Sequence, residues 1–331
     1  MAESTSAPPF LRPGWIEAWW RAFGAGRLQV LAASEGGAIT GVLPIVRRRD
    51  RVGSPTNWHS PIFGGVYARE EAAKMIAEAI AALAPPHVRM RFLDASDPLV
   101  GALRANAQQS HFLALQRTIQ SSPYLPIEGR WEEFRTRLSP NRRRSIARRE
   151  RRLAELGEVR LVVEDGRERL DELLDEGFAL EASGWKGARG TAILSHPRTR
   201  AFYEDVCRWA AGAGLLRLVF VRLDGRAIAF NLGLEDSRAH YALKPGHSPE
   251  MARYGPGALL IYRMIERSFS LGHASYELLG RSDDFKRSFV GDQLRTRVEV
   301  QVFSKSLRGR ATRLLETRVR PLGRRVLNGR R

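Results

Sequence analysis

"LRLVFVRLDGRAIAFNLGLED", residues 216–236, sets two runs of apolar and β-branched residues on either side of Asp224-Gly225. An acidic residue followed by glycine supplies the positive φ of a tight hairpin turn, so this stretch predicts two antiparallel strands. The same plan occurs at residues 28–48, "LQVLAASEGGAITGVLPIVRR", around Glu35-Gly36-Gly37. Each hairpin follows a helical segment that ends near glycine, "GWIEAWWRAFGAG" before the first and "TRAFYEDVCRWAAGAG" before the second. The recurrence predicts a duplicated plan.

Between the two halves, Trp131, Phe134 and Leu138 mark a helix, Ser139-Pro140 opens another, Gly157 closes it, and "EVRLVVE" reads as a strand. After these come a helix around "RLDELLDEGFALEASGWKG", the helix through Cys207, the hairpin, "AHYALKPG" as a strand, a glycine-led helix, and "ASYELLG" as the next strand. Strands and helices mixed in this order imply an α/β or α+β fold, mixed sheets flanked by helices. At 331 residues the chain exceeds one ordinary core. The expected division is 1–125, 126–303 and a basic tail, 304–331.

The formal net charge is +18, and its placement matters more than its size. Residues 304–331 carry ten Lys or Arg and one Glu. "NRRRSIARRERRLAELG" carries Arg142, Arg143, Arg144, Arg148, Arg149, Arg151 and Arg152 against two glutamates. Both clusters can attract phosphate, anionic lipid or an anionic substrate, or simply be solvated. No nucleic-acid motif accompanies them and aromatics are not interleaved, which argues against nucleic acid as a partner. A single cysteine, Cys207, excludes an internal disulfide framework and any metal-site spacing, so no metal is expected. No apolar run approaches a membrane span and "MAESTSAPPF" lacks signal-peptide regions, so the chain reads as soluble and cytoplasmic.

In "RYGPGALLIYRMIERSF", 253–269, glycines around a proline lead directly into an apolar helical stripe of Leu259, Leu260, Ile261, Met264 and Ile265. The first turn of a helix has free N–H groups and partial positive charge, which favours a bound phosphate. Gly255 and Gly257 allow close approach, Pro256 fixes φ, and Arg253 adds charge. A plain helix start explains the same residues, because neither a P-loop nor a dinucleotide fingerprint is present.

This strand, turn and helix resemble the pyrophosphate-binding loop of the GNAT N-acyltransferase superfamily. Over roughly residues 15–300 the chain looks like the CelD/BcsL-type acetyltransferases associated with cellulose or exopolysaccharide synthesis, relatives of the Fem aminoacyltransferases. The matching stretches are "SPIFGG", "FALEASGWKGARGTAI", "FYEDV", "RLDGRAIAFNLGL", "YALKPGHSPEMARYGPGALL" and "YELLGRSDDFKRSF". The resemblance implies two tandem GNAT-like domains with the donor site in the second. It also implies direct acyl transfer to an amine or hydroxyl, commonly from acyl-coenzyme A as a co-substrate, with no permanently bound cofactor. Arg253, Tyr254, Gly255, Gly257 and Ala258 would hold the donor, and a backbone N–H of "HYALK" would meet the thioester carbonyl.

The base is open. Glu181 beside Trp185 can have its pKa raised by desolvation, or can pair with Lys186 at a helix end. Asp283 and Asp284 can face a cleft or cap the next helix, as Ser282 can. His247 has a suitable intrinsic pKa but is also an ordinary loop histidine. The Fem likeness implies that a lysine at this strand end, Lys244, assists transfer. Lys244 and Lys286 can also hold phosphates or an anionic acceptor, and Lys186 is expected with Lys286 among the substrate-binding residues. Trp185 and Tyr241 can stack on a sugar or serve the core.

The expected reaction moves an acyl group to an amino sugar or polysaccharide precursor. The alternatives are an aminoacyl-tRNA donor, disfavoured by the absence of a heptad arm, and a non-catalytic binding protein. In the tail, Leu307, Ala311, Leu314, Leu315, Val319 and Leu322 fall on one helical face among arginines until Pro321. That face suits an anionic membrane surface or packing on the protein.

Overall fold

The computed structural model describes residues 7–319, apart from the side chains of Trp185, Arg318 and Val319. In chain order the elements are α1 (Pro13–Phe23), β1 (Arg27–Glu35), β2 (Ala38–Arg47), β3 (Val52–Gly53), β4 (Val66–Tyr67), α2 (Glu70–Ala82), β5 (His87–Asp94), α3 (Pro98–Gln109) and β6 (Leu113–Pro126). They continue with α4 (Trp131–Arg137), α5 (Pro140–Ala154), β7 (Val159–Glu164), α6 (Leu170–Ala182), α7 (Trp185–Ala188), α8 (Pro197–Gly212), β8 (Leu216–Leu223), β9 (Arg226–Glu235) and β10 (Ala239–His247). The last are α9 (Pro256–Ser270), β11 (Ser275–Glu277), α10 (Asp284–Val290), β12 (Leu294–Phe303) and α11 (Leu307–Leu314).

The fold is the expected mixed α/β arrangement. Both predicted hairpins form, β1 with β2 and β8 with β9, each antiparallel. The compact units, however, are interleaved where contiguous domains were expected with cuts at 125 and 303. The first comprises residues 1–11, 24–120 and 296–331, the second 12–23 and 121–295. Helix α1, expected beside the first hairpin, belongs to the second unit. There Trp15 meets Phe202 of α8 edge to face at 5.2 Å, and Gly14 lies so close to Trp209 that no Cβ fits.

In the first unit, β5 pairs antiparallel with β12 and parallel with β3, and α2 and α3 cover the sheet through Ile76, Ile80, Leu99 and Leu103. Buried Glu299 on β12 receives Arg89, Arg91 and Arg117, so the last strand is tied to this unit by charge as well as by backbone. In α11, the hydroxyl of N-cap Ser306 accepts from the Gly309 amide at 3.1 Å. A wider turn, Leu315–Val319, continues it, while Pro321 and Leu322 lie outside the described residues.

The second unit orders its strands β11, β10, β9, β8, β7, with the end of β6 antiparallel to β11. One face packs Leu259, Leu260, Met264 and Ile265 of α9 on Val219, Val221, Ile228 and Ala229. At about 1.5–3 kcal/mol per large apolar side chain, this face is the main local source of stability. The predicted strand "ASYELLG" is shortened to Ser275–Glu277, because Leu279 and Gly280 both turn to positive φ.

Candidate functional site

Strand β10 pairs with β9 over most of its length but parallel with β11 only from Ala239 to Tyr241. Beyond Tyr241 the chain of β11 leaves, and the Leu278 amide donates to Pro123 of β6. The register of β10 against β9 also slips between Ala242 and Lys244, a bulge that turns the strand locally. From Ala242 onward the backbone of β10 therefore has no strand partner on its β11 side.

Lys244, the first residue past the bulge, carries its ammonium 5.2 Å from the ring centre of Tyr203 on α8. Burial and, after it, the nearby Lys186 lower its pKa to about 8, against the opposing charge of Glu181. Glu181 ends α6 fully buried. One carboxylate oxygen accepts the Ile193 amide at 2.8 Å and the other lies 3.1 Å from the Lys186 ammonium. Lys186 in turn donates to the Pro245 carbonyl of β10. Gly246 lets this happen, because a Cβ there would fall 2.5 Å from the Glu181 Cα and push α6 off the strand. Burial and the Glu181 charge raise the Tyr203 pKa well above its ordinary value. Glu181, Lys186, Lys244 and Tyr203 thus form one cluster on the α6 and α8 side of β10.

On the next connection, a 3-10 turn over Pro249–Tyr254 ends at Gly255, whose φ of 65° and ψ of 47° are left-handed, and α9 starts at Pro256. That backbone costs a residue with a Cβ roughly 1–2 kcal/mol, which explains the glycine. Above Gly257 the space is open. A Cβ there would meet nothing closer than the His247 Nδ1 at 4.0 Å. Pro256 has no N–H, and the Ala258 and Leu259 amides both donate to the Gly255 carbonyl, at 3.0 and 3.3 Å, which leaves the Gly257 amide as the first-turn donor facing this space. Burial and Lys186 lower the His247 pKa, which favours neutral imidazole beside this turn.

Tyr254 is buried between two guanidiniums, Arg152 at 4.9 Å and Arg253 at 4.8 Å from its ring centre, and Arg253 also donates to its hydroxyl at 2.9 Å. Ala258 packs in the core beneath the turn, so only its backbone belongs to it. Arg149 and Arg152 of α5 are the residues that sequence reasoning did not assign to this place. Tyr203 is likewise a residue whose place here its sequence surroundings do not mark.

The remaining expected site residues are dispersed. Asp283, not Ser282, caps α10, accepting the Lys286 amide at 2.8 Å. Asp284 is 95% exposed and pairs with Arg287, outside the cluster. Lys286 donates to the carbonyls of Leu279 and Arg281 at 2.8 and 3.0 Å, and burial lowers its pKa. Tyr241 is buried on β10, its hydroxyl pKa raised by burial and then by Asp236. The Trp185 side chain lies outside the described residues. Cys207 is buried in α8, and burial raises its thiol pKa. Among the described residues no cluster of His, Cys, Asp and Glu suits a metal.

Residues 140–287 match the model of an acetyltransferase (GNAT) domain, which takes in the whole constellation just described. No curated protein matches the chain. Among solved structures it is similar to FemX, at 12% identity and a TM-score of 0.61 over 96% of each chain. It is similar as well to the DUF2156 C-terminal domain of an Agrobacterium fabrum protein assigned as a lysylphosphatidylglycerol synthetase. There the identity is 12% and the TM-score 0.54, over 90% of this chain and 91% of that one. A conserved protein of unknown function from Bacteroides thetaiotaomicron VPI-5482 shares the fold at 10% identity and a TM-score of 0.54, over 87% and 89%. These likenesses bear on fold. The acetyltransferase match supports a transferase.

Proposed function

We propose that the second unit transfers an acyl group directly from an acyl-coenzyme A thioester to an amine or hydroxyl of an amino sugar or polysaccharide precursor. The observation that carries this reading is the parting of β10 from β11 at Tyr241, followed by the open Gly255-Pro256-Gly257 turn at the head of α9. In this reading the donor pyrophosphate rests on the Gly257 N–H at the head of α9, near Arg149, Arg152 and Arg253. The thioester carbonyl lies against the bulged backbone at Ala242–Lys244, where an N–H can stabilise the developing oxyanion.

The acceptor nucleophile forms the new bond to the acyl carbon, the carbon–sulfur bond breaks, and coenzyme A leaves as thiolate. The nucleophile's proton passes to the neutral amine of Lys244 and from there to the thiolate. A base with a pKa of about 8 suits that duty near neutral pH. Glu181, already engaged by Lys186 and the Ile193 amide, acts as a positioning residue that sets the charge around Lys244.

The test is thiol release from acetyl-coenzyme A and longer thioesters with a panel of amino sugars, alongside calorimetric binding of each thioester. Micromolar binding and acceptor-dependent release are expected. Absence of binding for every thioester ends the reading. We further propose that the basic segment 304–331 holds the enzyme on an anionic membrane surface. Among the described residues no helix is long and apolar enough to cross one.

A further inference from the structure

Arg142, Ser145, Arg149 and Arg152 recur at i, i+3, i+7 and i+10, which places them on one face of α5. At about 1.5 Å per residue that face is roughly 15 Å long. At its C-terminal end Arg149 overlies Gly255 and Arg152 overlies Tyr254. At its N-terminal end Arg142 lies 4.4 Å from the ring centre of Phe289 and lines a cavity of about 720 Å³. Phe134, Leu138 and Val290 give this cavity apolar walls, and Asn141 and Ser145 give it polar ones. Its volume lies within the roughly 300–1,000 Å³ of small-molecule sites.

The charge state of this face is unusual for the unit. Arg217, Arg222 and Arg267, similarly half-buried, are each bound to Glu235 or Glu176. Arg142, Arg149 and Arg152 have no carboxylate partner among the described residues. Burial lowers the pKa of Arg142 and of Arg149, and each is lowered further by a neighbouring arginine. Guanidiniums withdrawn from water and set beside one another without an anion are costly, and a phosphate-bearing ligand removes that cost.

We infer that this cavity receives a phosphorylated nucleoside, the nucleotide end of the acyl donor, with the arginine face of α5 following the phosphates from the cavity to the Gly255 turn. The flat base lies among Phe134, Leu138 and Phe289, and Arg142 takes the phosphate carried on the ribose. This inference rests on the acyl-coenzyme A reading. The same chemistry can reach the cavity on a nucleotide-linked acceptor, which the test separates.

The experiment is calorimetry on the full chain with adenosine 3′,5′-bisphosphate, AMP and UDP, in the wild type and in Arg142→Gln and Arg142→Lys. The bisphosphate is expected to bind, to displace acetyl-coenzyme A, and to bind at least about tenfold more tightly than AMP, the scale of one charge-assisted phosphate contact. Arg142→Gln abolishes that preference, Arg142→Lys restores part of it, and turnover of acetyl-phosphopantetheine is unchanged in both. Equal bisphosphate affinity in wild type and Arg142→Gln overturns the inference. So does Arg142-dependent binding of UDP that leaves acetyl-coenzyme A in place, which points to the acceptor. Arg142-dependent bisphosphate binding in a protein that transfers no acyl group from any thioester upholds the cavity and removes the acyl-transfer reading instead.

Discussion

A Cβ placed on Gly255 would lie 2.2 Å from the Nε of Arg149, so the left-handed turn before α9 is roofed by a guanidinium from α5. Two glycines only two positions apart consequently answer to different constraints. Gly255 is fixed by its φ and by Arg149, while Gly257 has ordinary helical backbone and open space above it.

Gly257→Ala is expected to leave the fold intact and to raise its stability by about 0.4–1 kcal/mol through the unfolded chain, while lowering donor affinity by intruding on the phosphate. Gly255→Ala should lose about 1–2 kcal/mol from backbone strain and displace Arg149. Thermal melts and thioester calorimetry on the pair check both; equal effects in the two variants contradict the assignment of the turn.

Lys244 makes stability rise with alkalinity. Its folded pKa of about 8 lies below the value near 10.4 of a free lysine, so between those limits the unfolded chain binds the extra proton. Lys244→Met should therefore stabilise the protein by roughly 1–3 kcal/mol at pH 7, with the gain shrinking as pH rises from 8 and gone above about 10.5. The same variant should lose most turnover. Denaturant melts across pH 6–10, with rates in parallel, test both statements.

For Glu181→Gln the expected result is a shift in the pH profile as well as a loss of rate. Removing the carboxylate takes away the one nearby charge that raises the Lys244 pKa, so the limb of the rate profile near pH 8 moves to lower pH. It also strands the Lys186 ammonium, at a cost on the order of 3–5 kcal/mol for a broken buried pair. A profile that keeps its midpoint denies Glu181 the positioning role.

On α11 and the turn after it, Leu307 is 85% exposed, Leu314 49% and Leu315 55%, set among Arg308, Arg310 and Arg313. Sedimentation with vesicles containing anionic lipid should capture the full chain at low salt. Replacing the three arginines by glutamine should weaken capture by about 1 kcal/mol each, and Leu307→Ser with Leu314→Ser should weaken it at high salt too. Capture unaltered by both sets of substitutions removes the membrane proposal.

The hairpins, the caps at Ser139 and Asp283, and α9 were legible because each is written in a few adjacent residues. The pair Glu181 and Lys186 was legible as a possibility, yet five positions do not align on a helix face, and the pair closes only because α6 stops at Ala182 and the chain turns back. The arginine face of α5 was hidden by abundance. Seven arginines cover most of the helix, and only the buried Ile146 and Leu153 tell which of them look inward. Least legible was the address of α1, since an amphipathic stripe declares that it packs without naming its partner.

That address affects how the chain is made. Helix α1 leaves the ribosome well before Phe202, against which Trp15 rests and which follows only after roughly 190 more residues, and closing so long a loop costs on the order of 5 kcal/mol. Until α8 emerges, the indole of Trp15 lacks the Phe202 ring that covers it. The first unit likewise waits for its final strand until nearly all of the second has been translated. Neither half can mature ahead of the other during elongation, so the nascent protein must keep a tryptophan-rich helix out of aggregates until α8 follows it.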